Sequence, residues 1–203
     1  SFNDTKIIRT VRFANDSEVD LIEQFSFGSS SIEEIYLPPH LKCIAEYAFS
    51  CCRRLRVVDI PQNSELQKIG DGAFVGSSIE TLTLPSSISE LEEGWCHITP
   101  KLKNVIYYPN ARYIYLDGKY IIGKSEISRS EYDKLIFARR DLESATIPSN
   151  VKIIGGSSFS QTQIKNISIP PQVTEIHSCA FYGCQNLSEV YFETNSQLRM
   201  IDK

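Results

Sequence analysis

Three groups of residues in this sequence could carry chemistry: a glycine cluster, six cysteines and three histidines. Gly70-Asp-Gly72-Ala-Phe-Val-Gly76 is spaced almost like a loop that cradles a dinucleotide phosphate. That loop needs G-x-G-x-x-G between a strand and a helix. Here the third glycine comes one place late, and Ile79-Glu-Thr-Leu82-Thr-Leu84 alternates like a strand before stopping at Pro85. His177-x-Cys179 with Cys184 points towards zinc, but a closed structural site wants four ligands and no fourth candidate stands near. His40 and His97 lie beside no nucleophile motif, and no G-x-S-x-G elbow is present. The expectation is a non-enzyme with no catalytic residue, no metal and no cofactor.

What positions these residues is a repeat. Ile69-x-x-x-Ala73-Phe74 recurs as Ile44…Ala48-Phe49 and Ile176…Ala180-Phe181, and with Ser for Ala as Ile22…Ser26-Phe27 and Ile154…Ser158-Phe159. Leu91…Trp95-Cys96 is a degenerate copy. The glycines are not shared, so they read as turn residues of one repeat. A small residue follows each copy: Ser30, Cys52, Ser77, Thr99, Thr162 and Cys184. Then comes a short strand: Val11–Phe13, Ile35–Leu37, Val58–Ile60, Leu82–Leu84, Val105–Tyr107, Ala145–Ile147, Ile167–Ile169 and Val190–Phe192. The strands start about 23 residues apart, a leucine-rich-repeat period, with one longer step between Val105 and Ala145.

Each slot has a physical reason. Alternation sends the outer residues of each strand inward and the middle one outward. Pro38, Pro61, Pro85, Pro148 and Pro170 follow their strands and end pairing, because proline has no N–H to donate. Phe27, Phe49, Phe74, Phe159 and Phe181 share one slot and should stack as an internal spine. Cys52 and Cys184 share another, on rungs too far apart for a disulfide, and read as packed small residues. Cys43, Cys51, Cys96 and Cys179 match no slot; Cys179 with Cys184 is the one pair close enough to consider. The fold expected is a leucine-rich-repeat solenoid with one parallel β-sheet, short turns or helical turns opposite it, and a β-hairpin insert.

The insert spans 108–144 of a single 1–203 domain. Asp117-Gly118 between Tyr113–Leu116 and Lys119–Ile122 is a hairpin signal. Leu135–Phe137 reads as a further strand, with a short helix over 130–142 as the alternative. Val11–Phe13 shows no preceding Ala-Phe half, and Leu198–Ile201 starts a repeat that stops. Together with Ser1 in place of a methionine, this suggests that the chain, of about eight rungs, is a segment of a longer array. The net charge of −4 gives no footprint for nucleic acid; Arg53-Arg54 and Arg139-Arg140 read as solvated pairs. No apolar run is long enough to span a membrane.

Ile44 to Pro61 fits I-x-x-x-A-F-x-x-C-x-x-L-x-x-V-x-I-P throughout, and in this the chain resembles BspA-like leucine-rich repeats. The insert is similar too, with Asp117-Gly-Lys-Tyr-Ile-Ile122 followed by Thr146-Ile-Pro-Ser-Asn-Val-Lys-Ile-Ile-Gly155. Trp95-Cys96 in place of Ala-Phe and the long loop 123–130 depart from the pattern. The phrases Ile60–Gly70 and Phe192–Ile201 look like the protist, trichomonad-like branch. The resemblance implies a cell-surface or secreted adhesion protein that binds host-cell or extracellular-matrix protein, with fibronectin a candidate. The alternative is a spacer array that self-associates and has no ligand of its own.

The middle strand residues form the expected binding stripe: Arg12, Tyr36, Asp59, Thr83, Ile106, Thr146, Ser168 and Tyr191. Solenoids bind along extended faces, and tyrosine is enriched at interface hot spots. A hairpin surface around Tyr113, Tyr115 and Tyr120 competes with it. Asn3, Asn15, Asn166 and Asn186 stand in glycosylation sequons, which matter only if the protein is eukaryotic and secreted.

Overall fold

The computed structural model describes residues 1–203, which form seventeen strands and no helix. The chain divides into two compact units, Ser1–Asn110 and Ala111–Lys203. The division falls where the insert begins.

In the first unit each rung contributes two strands. In chain order they are β1 (Thr10–Arg12), β2 (Leu21–Ile22), β3 (Glu34–Tyr36), β4 (Cys43–Ile44), β5 (Val57–Asp59), β6 (Lys68–Ile69), β7 (Thr81–Leu84), β8 (Glu90–Leu91) and β9 (Asn104–Tyr107). The odd-numbered strands form the front face, as two parallel ladders and not the single sheet expected: Arg12, Tyr36 and Asp59 align across β1, β3 and β5, Thr83 aligns with Ile106 across β7 and β9, and no ladder joins β5 to β7. The even-numbered strands are an addition to the expectation. They pair in parallel through the repeat's own Ile slot, aligning Ile22, Ile44, Ile69 and Leu91. A second, narrower ladder therefore stands where only turns were expected.

The two ladders are joined by turns that repeat from rung to rung. Pro38, Pro61 and Pro85 each open one, their carbonyls accepting from the N–H groups of Leu41, Ser64 and Ile88. The ring fixes φ for the first corner of such a turn. On the other side every rung needs two left-handed residues flanking the Ala-Phe pair. Tyr47 and Cys51 fill them in one rung (φ 53° and 56°), Gly72 and Gly76 in the next (58° and 71°). The glycine cluster thus sits where the backbone turns left-handed, and glycine adopts that conformation without a side-chain clash. Gly70 serves differently: a Cβ there would lie 2.6 Å from the backbone nitrogen of Glu46.

The phenylalanine spine forms. Phe27 and Phe49 stack with centroids 5.1 Å apart, and Phe49 and Phe74 at 5.5 Å. Phe2 extends it, stacking 5.2 Å from Phe27, while its N–H donates to Ser26 as that of Phe27 does to Ala48. Ser1-Phe2 is therefore the Ala-Phe pair that precedes Val11–Phe13, where the repeat pattern alone showed none. Burying each ring contributes about 1.5–3 kcal/mol. Trp95 and Cys96 are both buried, so the degenerate rung keeps its volume with the large and small partners exchanged.

The small-residue slot does more than save space. The Cys52 thiol donates to the Phe27 carbonyl at 2.9 Å, reaching back one rung, and lies 3.4 Å from Ser30 Oγ. Burial pushes the Cys52 thiol above its ordinary pKa, which keeps it in the donor form. All six cysteines are free thiols.

The second unit contains β10 (Tyr113–Leu116), β11 (Tyr120–Gly123), β12 (Lys134–Ala138), β13 (Ile153–Ile154), β14 (Asn166–Ile169), β15 (Glu175–Ile176), β16 (Glu189–Phe192) and β17 (Met200–Ile201). The hairpin forms as expected, with Asp117 and Gly118 both left-handed at its tip (φ 52° and 62°), as a two-residue turn of matching twist requires. Residues 134–138 are a strand and not a helix. β12 runs antiparallel to β11 and parallel to β13, so it joins the hairpin to the ladder β13–β15–β17. Leu135 takes the Ile slot opposite Ile154. Pro148 and Pro170 open the same turns as their counterparts, Phe159 stacks on Phe181 at 5.2 Å, and Cys184 donates to the Phe159 carbonyl.

One expected strand is absent. Ala145–Ile147 has no ladder, although Ile147 is buried. The N–H of Thr146 donates to the Tyr120 hydroxyl instead, at 3.3 Å. The hairpin supplies that partner, so the segment stays extended without pairing.

Candidate binding surface

The stripe is best formed in the first unit. Arg12, Tyr36, Asp59, Thr83 and Ile106 all leave the front ladder on its outer side, and Ile106 is 49% exposed. The Arg12 guanidinium lies over the Tyr36 ring, 3.5 Å from its centroid. Such stacking orients the cation and shields the ring from water. The Tyr36 hydroxyl donates to Glu34 at 3.2 Å. Glu34 belongs to a second outward row, Thr10, Glu34, Val57, Thr81 and Asn104. The sequence reading missed this row; the same alternation, carried one residue earlier in each strand, would have found it.

Beside this pair is a cleft of about 530 Å³, lined among others by Arg12, Tyr36, Asp59, His40, Asn15 and Asn63. His40 Nδ1 lies 3.0 Å from Glu65 at its margin. The lining mixes a cation, a carboxylate, an imidazole and two amides with two aromatic rings, Phe13 and Tyr36, and the aliphatic Leu37, Pro39 and Pro61. No Ser, Thr, Cys or Lys lines it. The arrangement suits hydrogen bonding and ring contact with an extended ligand.

The back of the same unit is braced by charge. Lys68 bridges Glu90 and Glu92, and the Glu92 hydrogen bond holds its ammonium above the usual lysine range. Burial would raise the Glu92 carboxyl, but Lys68 and the Asp71 N–H together bring it below its ordinary value. These groups fix the turn that leads into the spine.

In the second unit only two stripe residues stand on a ladder. Ser168 and Tyr191 are register partners, and Ser168 Oγ donates to Glu193 at 2.7 Å. Tyr191 is 54% exposed, with Val190 and Phe192 exposed beside it. Thr146 is exposed but off the ladder, so it belongs to no continuous row. The hairpin alternative changes character. Tyr113 and Tyr120 are buried, and Tyr115 turns its hydroxyl onto the Gly118 carbonyl. Tyr113 and Tyr120 are thus turned inward where the hairpin continues the ladder through β12, and Tyr115 braces the turn. All four sequon asparagines are exposed, Asn15 within the cleft and Asn166 on the outer side of β14.

The BspA type leucine rich repeat region matches in six copies, over residues 1–116 and 130–203. The chain belongs to this family. The break in the match, 117–129, covers the hairpin tip, its second strand β11 and the loop after it. Among solved structures, the BspA-type chain is similar to the pneumococcal vaccine antigen PcpA, with 24% identity and a TM-score of 0.80 over 97% of this chain and 56% of that one. A leucine rich cell surface protein from Faecalibacterium prausnitzii matches with 20% identity and a TM-score of 0.71, over 91% of this chain and 55% of that one. A leucine-rich repeat protein from Eubacterium ventriosum matches with 18% identity and a TM-score of 0.70, over all of this chain and 68% of that one. The BspA-type chain thus spans little more than half the length of the first two. A comparison with curated proteins gives no match. No helix is long and apolar enough to cross a membrane.

Proposed function

We propose that this BspA-type chain is an adhesion module at a cell surface, not an enzyme, and that it recognises a host-cell or extracellular-matrix protein, fibronectin being the candidate. The observation that carries this reading is the front face of the first unit, where Arg12 stacked on Tyr36 borders an open polar cleft. Arginine and tyrosine are the side chains most often found at interface hot spots. The surface location is supported by the family and by the Faecalibacterium neighbour, a leucine rich cell surface protein. The phrases Ile60–Gly70 and Phe192–Ile201 are the basis for placing the chain on the protist branch, although the solved neighbours are bacterial.

The test is binding of the chain to epithelial cells and to immobilised fibronectin, with Tyr36→Ala/Tyr191→Ala alongside. Saturable binding that the double variant loses supports the reading. Binding that survives both substitutions moves the ligand to another surface.

A further inference from the structure

The first unit carries a second surface along the turns that lead into the front strands. One column there alternates in sign from rung to rung: Arg9, Glu33, Arg56, Glu80 and Lys103. Its register is given by the backbone bonds from Glu33 N–H to Arg9, Arg56 N–H to Glu33 and Lys103 N–H to Glu80. Glu33 alone is shared by three arginines, at 3.5 Å from Arg9, 3.9 Å from Arg54 and 2.8 Å from Arg56.

The neighbouring column is not balanced. It holds Lys6, Arg53, Arg54 and Lys101, with Asp4 paired to Lys6 as its one carboxylate. Arg53, Lys101 and Lys103 are exposed and make no ion pair. Together the two columns set seven cations against Asp4, Glu33 and Glu80, in a chain whose net charge is −4. Glu34 does not neutralise them, because it turns onto the front face towards Tyr36.

Two shallow clefts flank the Arg53-Arg54 pair. One of about 430 Å³ runs towards Lys6 and is lined by Ser29, Ser30 and Ser31; the other, of about 320 Å³, runs towards Lys101 past Ser78. Neither is lined by an aromatic or aliphatic side chain. Single-stranded nucleic acid needs stacking rings, and a membrane surface needs apolar anchors. The row runs from rung to rung, so Lys6, Arg53-Arg54 and Lys101 are spaced about 10 Å apart. Serine hydroxyls lie between the cations.

We infer that this row binds a linear sulfated polysaccharide, with sulfates on the guanidinium and ammonium groups and sugar hydroxyls on the serines. Recognition is separate from the front-face cleft, and it gives a role to a row that holds seven of the ten lysines and arginines of the first unit. Binding of this kind releases counterions and weakens with salt.

The probe is fluorescently labelled heparin, titrated with the whole chain at low salt and at about 0.15 M salt, where screening extends over roughly 8 Å. Wild type is expected to bind with an affinity that falls as salt rises. Arg53→Ser/Arg54→Ser/Lys101→Ser should lose about tenfold or more with its melting curve unchanged, since all three side chains are exposed. Glu33→Gln should bind more tightly, and Tyr36→Ala should bind as wild type. Failure of wild type to bind heparin would overturn the inference. So would a triple variant that binds like wild type, equal binding of desulfated heparin, or stronger binding of duplex DNA or of anionic vesicles. Loss of heparin binding in Tyr36→Ala would return the site to the front face.

Discussion

Tyr120, from the hairpin, meets Phe159, from the first full rung of the second unit, edge to face, with ring centroids 6.4 Å apart and planes at 65°. Tyr120 is therefore the spine residue of a rung whose own copy has none. Ala138 stands in the Phe position, its N–H donating to Ser158. The insert closes the core of the second unit with a ring borrowed from a different segment.

Tyr120→Ala should cost about 3–5 kcal/mol, as large buried truncations do. Tyr120→Phe keeps the ring and removes only the acceptor for Thr146, a loss of about 1 kcal/mol. Urea unfolding of the two variants separates these values; equal losses would show that the hydroxyl, and not the ring, holds the insert.

Phe74→Ala should cost about 3–5 kcal/mol, because Phe74 is buried and stacked on Phe49. Phe2→Ala should cost much less, since Phe2 is 44% exposed at the end of the same stack. Thermal melting checks both; a negligible effect at Phe74 would mean the spine is not a source of stability.

Ile98→Gly should stabilise the first unit by about 1 kcal/mol. Ile98 holds φ at 51°, a left-handed conformation in which a β-branched residue is strained. Its counterparts Gly76 and Gly183 occupy the same turn position without that strain. A lowered midpoint in urea would show that the side chain's packing outweighs the strain.

Asp133 makes the loop 123–133 pH-sensitive. Its carboxylate is buried and accepts from the Ser125 N–H and hydroxyl, at 2.8 and 2.9 Å, and from Arg129 at 3.0 Å. Burial pushes its pKa up, but these donors outweigh burial and hold it below the ordinary aspartate range. A depressed carboxyl stabilises the fold above its unfolded pKa and stops doing so as pH falls through the folded value. The Ser125 amide signal should therefore titrate in acid, below the ordinary aspartate range, and Asp133→Asn should remove that titration. An amide unaffected by acid would place the loop's support elsewhere.

What could be read in advance was whatever repeats. The Ile, Phe and proline slots recur often enough that each copy corroborates the others, so the front ladder, the spine and the turns were legible. The second ladder was not, because a two-residue strand leaves too short an alternation to distinguish it from a turn. Thr146 was misplaced for a different reason. Its local phrase is a good repeat strand, and only the Tyr120 hydroxyl, 26 residues away in sequence, diverts it. The binding face was legible in direction but not in composition: alternation tells which residues point outward, while the stacking of Arg12 on Tyr36 and the clustering of Arg53, Arg54 and Lys101 arise only when rungs are brought side by side.

The ladder bonds have a mechanical consequence. Within each unit they run from rung to rung, as does the Cys52 thiol bond to Phe27. Tension applied along the stack therefore loads the rung interfaces in series and not as one sheared block. The weakest interface yields first, and because stability in such arrays is shared between nearest neighbours, its failure leaves the next rungs folded. A chain tethered at one end and loaded at the other would lengthen in small steps, each release limiting the force that reaches the remaining rungs.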